Sequence, residues 1–113
     1  MQTLSQKQQL FSLNASKLIT YIYAQGYACT FGEAYRTPEQ ALIDVQKGTG
    51  IADSLHCIRL AIDLNLFKGE EYLTDKDSYQ QFGTYWKSLD PRHRWGGDFP
   101  HLVDSNHFEM QNI

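Results

Sequence analysis

One run of residues constrains the fold more than any other. Between Ser54 and Phe67, Ile58, Leu60, Ile62, Leu64 and Leu66 all share one parity. A period of two over so many aliphatic side chains marks a strand with one face in a core, and a strand this apolar belongs at the centre of a sheet. The rest of the 113 residues must supply the cover. That length suits one domain and leaves no room for a second self-sufficient core, so residues 1–113 are read as a single domain.

The cover is helical. From Leu4 to about Gln25, Leu4, Phe11, Leu18 and Ile22 recur at multiples of three to four, joined by Leu10, Ile19 and Tyr21, and Gly26 ends the helix. Thr37-Pro38-Glu39-Gln40 reads as a helix start, with Thr37 as N-cap, Pro38 in the first turn and Gln40 closing a capping box. That short helix runs to about Lys47, and residues 48–50 form a loop. A third helix begins at Thr74, spaces Tyr79, Phe82, Trp86 and Leu89 three and four apart as core residues, and stops before Pro91.

Tyr27 to Tyr35, with Tyr27, Cys29 and Phe31 on one parity, predicts a strand that delivers Arg36 to its C-terminal end, and His107 to Met110 predicts a short terminal strand. Residues 69–74 read as a turn and residues 95–100 as a glycine- and proline-punctuated loop. The class is therefore α+β: two or three helices packed on a small, largely antiparallel sheet.

Charge and hydropathy exclude several partners. The net charge is -3 and the ten Lys and Arg are scattered, so no basic face is available to track nucleic acid. No stretch approaches the roughly 20 apolar residues of a membrane span, and the N-terminus lacks the basic and apolar regions of an export signal. Cys29 and Cys57 are too few and too far apart for a disulfide framework, and are expected to be buried as small apolar residues.

The chemistry concentrates around two of the four histidines. Asp63 follows His56 by seven residues, and Asp104 precedes His107 by three. Two imidazoles and a carboxylate suit zinc, which in catalytic sites takes three protein ligands and keeps a fourth position for water. The remaining acid is then free to act as a base. A straight strand from residue 56 to 63 would span about 23 Å and put the two on opposite faces. The metal reading therefore requires a bend between Cys57 and Leu60, with only Ala61 to Phe67 in the regular strand.

The stretch Ser54-Leu55-His56 to Ala61-Ile62-Asp63 resembles the Ser-x-His, six residues, Asp signature of the LAS-type zinc peptidases, peptidase family M15. These are D-alanyl-D-alanine carboxypeptidases and dipeptidases and phage L-alanyl-D-glutamate endopeptidases. Trp95-Gly96-Gly97-Asp98 followed by Asp104 to Glu109 resembles the family's closing segment, and Glu33 to Thr37 its substrate-side arginine segment. The resemblance covers roughly residues 27–110, and departs from many members in having Arg59 where they have glycine.

The resemblance implies a hedgehog/D-Ala-D-Ala peptidase-like fold with one zinc ion in a cleft over the sheet. It implies His56, Asp63 and His107 as ligands, Asp104 as catalytic base, Arg36 as the group stabilising the scissile carbonyl, and Ser54 as support for the site. Glu109 and Asp98 are rivals for the base. Glu109, alternating with His107, is otherwise placed to orient that ligand, and Asp98 to stabilise a turn. Trp95 is open between lining the cleft and packing, whereas His93 and His101 are expected to be solvated loop residues.

The activity implied is that of a monomeric phage or prophage endolysin cutting the L-alanyl-D-glutamate bond of peptidoglycan stem peptides. Such an enzyme is made in the host bacterial cytoplasm and reaches the wall after a holin opens the membrane. A D-alanyl-D-alanine carboxypeptidase or dipeptidase, and a non-catalytic peptidoglycan-binding module, are the alternatives.

Overall fold

The central strand is present but shorter than its apolar pattern suggests. In the computed structural model, which describes residues 1–48 and 54–113, β2 covers Ala61–Lys68, and the residues before it form a 3-10 turn, Leu55–Ile58. Three helices accompany it: α1 (Leu4–Ala24), α2 (Pro38–Gln46) and α3 (Lys76–Leu89). The sheet has five strands, with β1 (Ala28–Phe31), β2, β5 (His107–Met110) and β4 (His93–Trp95) side by side and β3 (Glu71–Leu73) on β2, all antiparallel. The α+β class holds. The expected loop at 48–50 lies largely outside the described residues.

Helix boundaries follow from their caps. Thr3 and Gln6 close a reciprocal capping box on α1, and Gly26 leaves it at φ +86, a conformation glycine adopts without steric cost. Thr37 caps α2 from Pro38 onward, but Gln40 turns its side chain to Asp44, so the reciprocal half of the expected box is not made. Asp75, one residue later than expected, caps α3.

One face of β2 carries Ile62, Leu64 and Leu66 into a core shared with Phe11, Leu18 and Ile22 of α1 and Tyr79, Phe82 and Trp86 of α3. Each such side chain contributes roughly 1.5–3 kcal/mol by leaving water. The opposite face presents Asp63 and Asn65, only partly buried. That division puts chemistry on one side of the sheet and stability on the other.

Several expectations need correcting. β1 ends at Phe31 rather than Tyr35; beyond it Gly32 and Glu33 still bond the Asp63 backbone, and Gly32 passes so close that a Cβ there would lie 3.0 Å from the aspartate's own. Arg36 thus stands in a loop beyond the strand. Trp95 does not line a cleft but is fully buried, with Gly83 and Gly97 so near its indole that an added Cβ would come within 2.2 and 2.1 Å of ring atoms. His93 is no solvated loop residue: it is buried, stacked on Trp86 at 3.7 Å between centroids, and bonded to Asn14 and the Trp86 carbonyl. Cys29 and Cys57 are half-buried and free rather than enclosed. His101 is exposed, as expected.

Candidate metal centre

Ser54 begins the site. Its Oγ accepts a hydrogen bond from the backbone N–H of His56 at 3.2 Å, capping the 3-10 turn, and Arg59 then reverses the chain at φ 57, ψ 37. Left-handed backbone costs a non-glycine residue about 1 kcal/mol. The Arg59 guanidinium lies 4.0 Å over the Tyr35 ring, a cation–π contact of the size needed to offset that cost. The bend required between Cys57 and Leu60 is therefore built without glycine. It folds His56 back over β2 instead of leaving it a strand's length away.

Asp63 and His107 are opposite partners in the β2–β5 register, so the two side chains share a face. His56 Nε2 lies 3.3 Å and His107 Nδ1 3.1 Å from the same carboxylate oxygen, Asp63 Oδ1. Donors placed ~2.0–2.1 Å from one tetrahedral ion would be about 3.3 Å apart, so two nitrogens and an oxygen converge at the spacing zinc uses. Among the described residues these three form the one His/Cys/Asp/Glu group able to hold a metal ion. The other ring nitrogen of His56, Nδ1, is buried with no hydrogen-bond partner among the described residues, while Nε2 faces the cluster.

His107 is held from behind. Its Nε2 meets Glu109 Oε1 at 2.6 Å, and Glu109 is gripped by Arg94 from the neighbouring strand. This carboxylate–histidine arrangement fixes the tautomer and ring orientation of a metal-ligating imidazole. Burial works against charge on His107, but hydrogen bonds to Asp63 and Glu109 win and raise its pKa to about 9. Burial likewise works against ionised Asp63, and bonds from His107 and His56 hold it down to about 2. The metal-free cluster is thus an imidazolium between two carboxylates, and metal must displace that proton.

Asp104 Oδ2 stands 3.8 Å from His107 Nδ1, on an exposed residue. Partial burial of its carboxyl and the charge of Asp63 raise its pKa, against the pull of His107, His56 and Arg36. Its loop is tied to Gly96, whose carbonyl accepts from Asp104 N–H at 3.0 Å and whose Cα approaches so closely that a Cβ would lie 2.0 Å from the Asp104 carbonyl.

At the other end, Arg36 donates to both oxygens of Glu33, sits 3.8 Å from Asp44 Oδ2, and bonds through its backbone N–H to the His56 carbonyl. Glu33 Oε1 is 3.6 Å from His56 Nε2. Successive contacts therefore link Arg36, Glu33, His56, Asp63, His107 and Asp104. Sequence reasoning gave Glu33 no role of its own; its three-residue spacing from Arg36 was the available signal. Asp98, by contrast, pairs with Lys87 at the surface and takes no part in the cluster.

The sequence profile of a family described as D-alanyl-D-alanine carboxypeptidase, peptidase M15, matches residues 47–110. No curated protein matches the chain. Among solved structures, the L-Ala D-Glu endopeptidase ChiX of Serratia marcescens aligns with a TM-score of 0.64 and 20% identity, covering 74% of this chain and 67% of that one. The vancomycin-resistance D,D-pentapeptidase VanY of a VanB-type cassette, crystallised as a mutant with Zn(II), aligns with a TM-score of 0.57 and 17% identity over 88% of this chain and 70% of that one. At these identities the likeness is one of fold.

Proposed function

Since the matched profile spans more than half of its length, the chain belongs to peptidase family M15, and we propose that it cuts the L-alanyl-D-glutamate bond of peptidoglycan stem peptides. The family's enzymes are zinc metallopeptidases, and the donor set of this chain suits that ion. His56, Asp63 and His107 would hold it. There zinc would polarise the scissile carbonyl and draw the pKa of a bound water towards about 7.

The chain's own residues supply the rest. Asp104, beside a ligand and with its pKa raised from its ordinary value by burial and by Asp63, takes a proton from the attacking water and passes it to the leaving amine. Arg36, held by Glu33 and Asp44, places a fixed positive charge where the oxyanion develops. Glu109 orients His107, and Ser54 holds the turn that positions His56. The single observation that carries this reading is the convergence of His56 Nε2 and His107 Nδ1 on Asp63 Oδ1, with Asp104 next in line.

The test is digestion of purified peptidoglycan by the zinc-loaded protein, with and without chelator and beside Asp104→Asn, with new termini identified by mass spectrometry. Chelator-sensitive release of peptides beginning at D-glutamate is expected, and the variant should lose roughly 10²–10⁴ in rate while keeping its zinc. Release of terminal D-alanine alone would move the activity to the carboxypeptidase that gives the family its description. Zinc binding without cleavage would leave a peptidoglycan-binding module.

The biological role in this reading is that of a phage or prophage endolysin, reaching the wall through a holin lesion. Its support is the resemblance of residues 54–63 and 95–109 to those enzymes. Expression inside a susceptible host should lyse it only when a holin is co-expressed; lysis without one would defeat the role.

A further inference from the structure

Resting on the peptidase reading above, we infer that the enzyme selects a leaving residue whose α-carboxyl is masked as an amide, and discriminates against a free carboxylate there. The argument begins with direction. Arg36 lies at the His56 end of the linked groups and Asp104 at the His107 end. A scissile amide across the site therefore puts its carbonyl oxygen towards Arg36 and its nitrogen towards Asp104, which must protonate that nitrogen as it leaves. Whatever follows the broken bond continues past Asp104.

A cleft of about 230 Å³ lies there, lined by Tyr72, Thr74, Val103, Asp104, Ser105 and Asn106, with Tyr79 at its base. Among the described residues that line it none is cationic, and Asp104 is the sole charge. The Tyr79 hydroxyl is already committed, donating to the Leu73 carbonyl at 2.8 Å and accepting from Leu66 N–H at 3.0 Å. Asn106 gives one amide N–H to Asn65 Oδ1 at 3.0 Å and retains its second N–H and its carbonyl oxygen. Arg36 faces Glu33 and Asp44 at the other end of the site.

The wall thus offers as acceptors a carboxylate and an amide oxygen, and as donors the Tyr72, Thr74 and Ser105 hydroxyls and the second Asn106 N–H, all of them neutral groups that cannot balance the charge of an anion. A carboxamide can donate to both acceptors. A free carboxylate can donate to neither, and meets Asp104 as a like charge in a confined space. The same argument disfavours removal of a C-terminal residue, whose free carboxylate would occupy this cleft. The substrate class is accordingly an internal bond followed by an amidated residue, D-isoglutamine rather than D-glutamate.

The experiment compares kcat/KM of the zinc-loaded protein for L-alanyl-γ-D-isoglutaminyl-L-lysine and its D-glutamyl counterpart. A preference of about tenfold for the amide is expected, since like charges at this range in a partly screened site cost on the order of 1–2 kcal/mol. Tyr72→Arg, at a half-exposed residue of β3, places a cation in the cleft and should bring the ratio within threefold or reverse it, and Val103→Lys should act in the same direction. Equal rates, or a preference for the free acid in the wild type, would overturn the inference. Removal of terminal D-alanine alone would also overturn it while leaving a working peptidase. If neither tripeptide is cut, the bond assignment fails, and calorimetric titration of both peptides into the zinc-loaded protein decides the inference separately: tighter binding of the amide upholds it, and equal affinity ends it.

Discussion

Two buried histidines on neighbouring segments of one small sheet have opposite surroundings. His93 on β4 is stacked on Trp86, faces the neutral amide of Asn14, and gives its Nδ1 proton to a carbonyl; burial pushes its pKa down. His107 on β5 is as deeply enclosed, yet two carboxylates overcome the same burial and lift its pKa to about 9. The first imidazole ties α1, α3 and β4 together as a neutral group. The second is one proton away from being a metal ligand. Burial alone does not distinguish a structural histidine from a functional one; the charge of its neighbours does.

The widest separation of the pair comes from deleting each ring. His107→Ala should lose bound zinc, measured as metal per protein after gel filtration, and lose activity by at least about 10³-fold. His93→Ala should keep its zinc stoichiometry but lose about 2–4 kcal/mol of stability, read as a lower Tm, because it vacates a stacked ring and strands Asn14.

Acidity sharpens the contrast in sign. In the metal-free protein, the His107 contribution is fully present below its ordinary value of 6.5 and is lost as pH rises through about 9. The His93 contribution is present above 6.5 and is lost as pH falls below it. Denaturant unfolding across pH should show the alkaline loss vanish in His107→Ala and the acid loss shrink in His93→Ala. A milder intervention is Glu109→Gln, which leaves all three ligands in place but weakens the grip on His107; zinc affinity should fall by roughly 10–100-fold in a competition titration with a chromophoric chelator. Smallest of all, Arg59→Gly relieves a left-handed residue and forfeits its contact with Tyr35, so unfolding free energy should change by less than about 1 kcal/mol.

Much of this site could be read from residue order, and the unread parts share a cause. His56, Asp63, Asp104 and His107 stand out as two short histidine–aspartate spacings, their roles and that of Ser54 come from the resemblance of residues 54–63 and 95–109 to the family's motifs, and the bend at residues 57–60 follows from strand geometry once the metal reading is made. Helices α1, α2 and α3 carried caps and periodic apolar faces. The strands β3 and β4 have three residues each, too few for any period to show, and β3 exists because a two-residue turn at Gly69 returns the chain to β2. His93 depends on Asn14, which is 79 positions away. Trp95 is claimed for the core by Gly83 and Gly97, one of them on another element. These are long-range facts of packing, and no local pattern encodes them.

The closeness of Gly96 to the Asp104 carbonyl has one more consequence, in the timing of motion. The loop from residue 99 to 106 exposes Leu102 and, less completely, Val103, yet its far end is bonded to Gly96, and Trp95 beneath it donates from the indole nitrogen to the Ser105 carbonyl at 2.7 Å. Amides at the tip are free to exchange with deuterium through local fluctuation, whereas that of Asp104 exchanges only when its bond to the Gly96 carbonyl opens. One loop thereby spans two timescales, an exposed crest that fluctuates locally and an end at Asp104 and Ser105 that is tied to the strand beneath it.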